Sequence, residues 1–178
     1  MNNPKAMFLM LAASLLFYAG CASRPEELIQ QTEKTRQEAK DAFADQFALD
    51  DWNAGEKAWG QAEDALQKED YGQASTFLLR AKDRYMKARQ VGLGKKEEMI
   101  KRIDGAKSAA TIRLKSLAET IAKAPAAKKK EIEASVQGIE ANLAKIDAQV
   151  KEGLFSDAEV LAQRALRSVW ELEQQFKK

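Results

Sequence analysis

The sequence has no histidine and one cysteine in 178 residues. The first absence removes the commonest general base and the commonest metal ligand. The second excludes an intrachain disulfide framework. Proline is present three times and glycine nine times. A β-sandwich or barrel needs a turn signal every 8–12 residues or so, and that supply is too small. No apolar stretch reaches the roughly 20 residues of a membrane-spanning helix. The longest is the fourteen residues from Ala6 to Ala19. Phosphate-binding glycine loops, nucleophile elbows and Cys/His metal spacings are all missing. What remains is rich in Ala, Leu, Glu, Gln and Lys, a helix-former's composition. At this length the chain supports one domain or two small ones.

The N-terminus reads as an address. Lys5 precedes the apolar stretch, Ala19 and Gly20 follow it, and then comes the sole cysteine, Cys21. This order has signal-peptide proportions. Tyr18-Ala19-Gly20-Cys21 resembles the lipobox of bacterial lipoproteins, in which the Cys thiol receives diacylglycerol and becomes the first mature residue. Tyr18 stands where Leu is usual, and ordinary cleavage after Ala22 is the alternative. The resemblance implies residues 1–20 as signal peptide, Cys21 as lipidation site and 21–24 as a short linker. Ala22 after the cysteine implies the periplasmic face of the outer membrane, with inner-membrane retention as the alternative. Several acyl chains, at about 0.8 kcal/mol per buried CH2, make a durable anchor.

From Pro25 onward the apolar residues recur at helical period. Six stretches are predicted. The first carries Leu28, Thr32, Thr35, Ala39, Ala42, Phe43 and Phe47 on one side. Asp50-Asp51 offers caps for the second, with Trp52, Ala58, Trp59, Ala62, Ala65 and Leu66. Asp70 with Gln73 starts the third, and Gly92-Leu93-Gly94 reads as its stop, with a helix continuous through both glycines as the alternative. The fourth runs through Ile100, Ile103, Ala106, Ala110, Leu114, Leu117 and Ile121 to Pro125. The fifth has a heptad stripe of Ile132, Val136, Ile139, Leu143, Ile146 and Val150, ended by Gly153. The sixth carries Ala158, Ala162, Ala165, Val169, Leu172 and Phe176. Ser23 with Glu26 and Ser156 with Glu159 have the spacing of capping boxes, and Phe155 with Val160 that of a hydrophobic staple. Trp52, Trp59, Phe77, Tyr85, Phe155 and Trp170 are assigned to the core, with a ligand groove as the alternative. The fold expected is all-α: an antiparallel helical bundle of about six helices in two similar three-helix units, residues 25–92 and 95–178.

The two halves resemble each other. An offset of 84 matches Tyr71 to Phe155, Ala74 to Ala158, Phe77 to Leu161, Arg80 to Arg164 and Ala81 to Ala165. Upstream, an offset of 83 matches Gly55 to Gly138 and Ala65 to Ala148. Around the first junction the chain reads Ala58-Trp59, Ala62, Ala65-Leu66, then Asp70-Tyr71-Gly72-Gln73-Ala74 and Ala81. Over about 30 residues this resembles one tetratricopeptide repeat, with its aromatic first helix and "D-Y-x-x-A" turn. There is no terminal Pro, and the pitch departs from that family's 34 residues. The resemblance implies a tetratricopeptide-like bundle and a protein-binding role.

Charge is spread unevenly. Between Glu26 and Asp70 there are thirteen acids and five bases; between Lys95 and Lys130 there are four acids and eleven bases. Two readings stand. Acidic early helices lie beside basic middle ones, or Lys95, Lys96, Lys101, Arg102, Lys128, Lys129 and Lys130 face anionic lipid or a polyanion. Nucleic acid is not expected as a partner. The terminal Lys178 is either a solvated lysine or a peptidoglycan link, a role suggested by the C-terminal lysine of the major lipoprotein of enteric bacteria. No cofactor and no enzymatic activity are expected. The expected function is a lipid-anchored, non-catalytic adaptor or scaffold with a protein partner in the envelope. A structural spacer tied to peptidoglycan is the rival. A cell-wall hydrolase is a third, weakened by the missing catalytic constellation.

Overall fold

Alanine lines the inner face of almost every helix, and this sets how closely the helices pack. In the computed structural model, which describes residues 23–176, the chain is an all-α helical bundle. Its helices are α1 (Glu26–Asp41), α2 (Ala44–Phe47), α3 (Leu49–Gln67), α4 (Tyr71–Lys123), α5 (Ala126–Lys151) and α6 (Phe155–Phe176). Among the described residues there is no strand, and no helix is long and apolar enough to cross a membrane. The chain divides into two compact units between Arg89 and Gln90, inside α4.

Six helices are present among the described residues, but two boundaries differ from the expected ones. The first predicted helix breaks at Phe43, whose φ of 58° is left-handed. Such a backbone costs a non-glycine residue about 1–2 kcal/mol. It is held because the break lets Ala39, Ala42, Ala44 and Ala48 all turn inward. The stop expected at Gly92-Leu93-Gly94 does not occur, and α4 runs through it. A glycine stop needs a left-handed residue, and among the described glycines only Gly153 has a positive φ. Two helical glycines without that turn, and without a following proline, cost about 1 kcal/mol each and end nothing.

Capping departs from expectation as well. Pro25 precedes α1 with no side-chain cap, and Glu26 pairs with Arg24 at 3.1 Å rather than with Ser23. Asp50 and Asp51 lie in the first turn of α3 behind the N-cap Ala48, where their charge meets the helix dipole. Ser156 falls inside the first turn of α6, so no Ser156–Glu159 box forms, and Val160 is exposed rather than stapled to Phe155. Asp70 does cap as expected: its Oδ1 accepts from the Gln73 N–H at 3.0 Å.

The turns α3–α4 and α5–α6 are built alike. The Glu69 and Asp70 N–H groups donate to Leu66 and Ala65 carbonyls at 3.1 and 2.9 Å. Those of Gly153 and Leu154 donate to Val150 and Gln149 at 3.1 and 2.8 Å. Each is a Schellman turn, with Glu69 at φ 58° and Gly153 at φ 78° in the left-handed position. These positions are 84 residues apart. The same offset relates buried Ala74, Leu78, Ala81, Tyr85 and Ala88 to buried Ala158, Ala162, Ala165, Val169 and Leu172. It also relates buried Ala48, Gly55 and Ala62 to buried Ile132, Ile139 and Ile146. The upstream offset of 83 is therefore corrected to 84, because Gly138 and Ala148 are exposed where Gly55 and Ala65 are buried.

Equivalent positions are filled differently. In the first unit the cluster is Ala39, Ala44, Ala48, Ala58, Ala81, Tyr85 and Ala88, with Trp52 and Trp59 against it. A Cβ added at Gly55 would lie 2.6 Å from Tyr85 Cε1, so the ring occupies the space that a side chain on α3 would need. The equivalent pair in the second unit is Ile139 and Val169, two medium side chains in a cluster with Ala110, Leu117, Ile132, Ala165 and Leu172. Large-with-none and medium-with-medium fill comparable volumes, the kind of exchange packed cores tolerate. Gly55→Ala should therefore destabilise by about 1–3 kcal/mol through overpacking. Gly138→Ala, with nothing within 4 Å of its Cβ, should stabilise by about 0.5–1 kcal/mol. Chemical denaturation of the two variants checks both signs.

Candidate interaction surfaces

The most tightly connected polar group lies in the first unit. Arg36 on α1 grips Glu56 on α3 with two hydrogen bonds, Nε to Oε1 at 2.7 Å and Nη2 to Oε2 at 2.6 Å. The Tyr85 hydroxyl on α4 donates to the same Oε1 at 2.6 Å. Arg36 also lies 5.9 Å from the Trp59 ring, and the Tyr85 and Trp52 rings are 5.5 Å apart. Burial pushes Glu56 up, but hydrogen bonds from Arg36 and Tyr85 outweigh it and hold the carboxyl below its ordinary range. Burial, then the bond to Glu56, pushes the Tyr85 phenol well above its ordinary range. The Arg36 guanidinium is raised by its bond to Glu56. A charged carboxylate held by a bidentate arginine and a protonated phenol is a strong clip between three helices. Each member is occupied by the others, and the arrangement ties α1, α3 and α4 together.

Salt bridges pair the basic residues of α4 with acidic residues of their own unit. In the first unit Arg84 on α4 meets Asp51 at 2.7 Å and Arg89 meets Glu38 at 3.2 Å. In the second, Arg102 meets Glu159 at 3.0 Å, Arg113 meets Glu173 at 3.2 Å, and Lys107 meets Asp147. The basic α4 thus lies against acidic residues in each unit.

The seven lysines and arginines of the expected polyanion patch form two groups. Lys95, Lys96, Lys101 and Arg102 lie near the start of the second unit's portion of α4, and Lys128, Lys129 and Lys130 in the first two turns of α5. About 30 Å of α4 separates them. Lys101 pairs with Glu97 at 2.7 Å, Arg102 is bound to Glu159, and Lys96 lies 5.8 Å from the Phe155 ring. Lys128 donates to the Gln175 carbonyl at 2.9 Å and sits 4.8 Å from the Phe176 ring. Lys95, Lys129 and Lys130 are exposed. Cys21 and Lys178 lie outside the described residues.

Two surfaces of the second unit escaped the sequence reading. The first is around Trp170. Assigned to the core by sequence, it is 52% exposed. With Arg113, Gln163, Leu166 and Arg167 it borders a cleft of about 320 Å³. The signal was there: Trp170 follows buried Val169, so on a helix it points roughly 100° away from the stripe. The second is a groove of about 1060 Å³ between α4 and α5, floored by residues including Leu114, Ala118, Ile121, Val136 and Leu143. Among the described residues, no group of three or more His, Cys, Asp or Glu is placed to hold a metal ion.

Compared with protein-family models, curated proteins and solved structures, the chain finds no match in any of the three.

The clip makes a pH prediction. A carboxyl depressed in the folded state contributes stability above its unfolded pKa, near 4.3, and that contribution is lost as pH falls through the folded value. A phenol raised in the folded state contributes below its unfolded pKa, near 10, and that contribution is lost as pH climbs above it. Glu56→Gln should flatten the acid limb of the stability–pH curve, and Tyr85→Phe the alkaline limb. Urea midpoints at a series of pH values measure both.

Proposed function

We propose that the chain is a lipid-anchored, non-catalytic adaptor of the bacterial envelope, held by acyl groups on Cys21 and engaging an acidic protein partner through its second unit. The observation that carries the adaptor role is the exposed Trp170 between Arg113 and Arg167. Trp and Arg are the residue types that dominate binding energy at protein interfaces. Trp170 borders the same cleft as Arg167, which favours an acidic surface, and as Arg113, whose guanidinium is paired with Glu173. The address rests on the sole thiol, which directly follows the apolar stretch and two small residues. The outer membrane's periplasmic face is the proposed location, on the residue after Cys21.

The Arg36–Glu56–Tyr85 clip supports a structural rather than a chemical role for Glu56. A general acid or base needs a free face toward a substrate. Glu56 Oε1 is already shared by Arg36 and Tyr85.

Two measurements test the proposal. Labelled palmitate should enter the wild-type protein and not Cys21→Ser, whose membrane partitioning should fall; equal labelling would overturn the anchor. Crosslinking in intact cells should recover a stoichiometric partner of another sequence from wild type. Trp170→Ala should lower that yield about tenfold or more, the size of an interface hot spot. Its melting temperature should stay unchanged, and an undiminished yield would remove Trp170 from the interface.

A further inference from the structure

We propose that the α4–α5 groove of the second unit binds the same groove of a second copy of this chain. The pairing is parallel, with the twofold axis running along the helices.

The heptad stripe of α5 is only half used within the chain. Ile132, Ile139 and Ile146 are at most 1% exposed, while Val136, Leu143 and Val150 remain half-buried. A helix seam of this kind is satisfied when both rows are covered. Leu114, Ala118 and Ile121 on α4 complete an apolar floor with Val136 and Leu143. No charged residue interrupts that floor; charge is confined to its walls.

The walls identify the occupant. On the α4 side they carry Lys107 and Lys115; on the α5 side Glu133, Glu140 and Asp147, with Lys129 at one end. The Lys107–Asp147 contact fixes the register of the antiparallel pair. Lys115 lies eight residues further along α4 and Glu140 seven residues back along α5. That is about 12 and 10 Å from the contact, so the two stand at nearly the same height. A twofold axis parallel to the helices sets α4 against α5 of the other copy. Lys115 then meets Glu140 of the partner subunit, and Glu140 meets Lys115 of the partner subunit. Glu133 comes to the height of Ala122, so no like charges meet there. An axis perpendicular to the helices would instead set Lys115 on its own symmetry mate and Glu140 on its own. One wall basic and one acidic, at matched heights, is self-complementary in the parallel arrangement alone.

The size also fits a second copy. A face about 25 Å long and two helices wide covers on the order of 500 Å² per partner. The pair then buries roughly 1,000 Å², the lower edge of specific interfaces. A reversible dimer in the micromolar range is expected.

Sedimentation velocity of the full chain in density-matched detergent tests this. Wild type should sediment with twice the protein mass of one chain. Lys115→Glu and Glu140→Lys should each weaken pairing roughly tenfold, since symmetry removes two contacts at once. The double variant Lys115→Glu/Glu140→Lys should restore it. Ala118→Arg, on an exposed position of the groove, should give monomers with unchanged helical circular dichroism. A monomeric wild type overturns the proposal. So does a double variant that folds but fails to regain the dimer, or an Ala118→Arg protein that stays dimeric. Recovery of a different protein seated in the groove overturns it too. Cys21→Ser and Trp170→Ala should leave the dimer intact, so loss of the anchor or the Trp170 interface is separable from this result.

Discussion

The contact between Gly55 and Tyr85 governs the first unit. Helix axes approach within the near end of the 8–10 Å range only where side chains are small, and Gly55 removes the last atom between α3 and the Tyr85 ring. With the Tyr85 ring packed against Gly55, its hydroxyl arrives at Glu56, the next residue in sequence. Glu56 in turn is where Arg36 from α1 binds. Three helices are thus positioned by one aromatic side chain whose apolar body and polar tip are both satisfied. The cluster around it is otherwise alanine, which supplies closeness but little buried area. Tyr85, with the flanking Trp52 and Trp59, supplies the area.

The second unit answers the same geometry with other chemistry. At the 84-residue equivalents, Gly55 and Tyr85 become Ile139 and Val169, and Trp52 and Trp59 become Val136 and Leu143. Two large indoles covering one side of a hairpin are replaced by two shorter aliphatics. Branched aliphatics fill the seam but leave its outer row half-buried, and the α4–α5 groove is the outcome. A polar clip is also lost at the Glu56 equivalent, which is Glu140, exposed on the groove wall. One position thus serves as an internal fastener in one unit and a surface charge in the other. Where the first unit has buried Ala65, the second has half-buried Gln149.

Much of this was legible. The stripes of α5 and α6 named Ile132, Ile139, Ile146, Ala158, Ala162, Ala165, Val169 and Leu172, and all are buried. Period alone carries that information, because one face of a helix must leave water. Asp70 was legible as a cap for the same local reason. Phe43 was not: nothing in its own chemistry favours a left-handed backbone, and only packing of the surrounding alanines selects it. Gly92 and Gly94 left both a stop and a continuous helix open, because glycine permits a stop without requiring one, and the helix is continuous. Trp170 misled because its size suggested burial when its angular position said otherwise. The groove was hidden for a different reason: a heptad row shows that a residue is apolar, but not whether its own chain supplies enough partners to cover it.

The proposed pairing and the proposed anchor support each other. An interface near 1,000 Å² is weak in free solution. Confining a chain to a membrane by acyl groups raises the effective concentration of its copies, so weak contacts become occupied without added area. Under the proposed anchor, a modest groove with matched charges suffices where a soluble protein would need a larger apolar face. The same logic bears on the charged walls. Exposed ion pairs add little affinity, but misalignment that sets like charges together is penalised. For copies already held at one surface, the task left to the sequence is choosing the register. Lys115 and Glu140, equal in height and opposite in sign, are placed to make that choice.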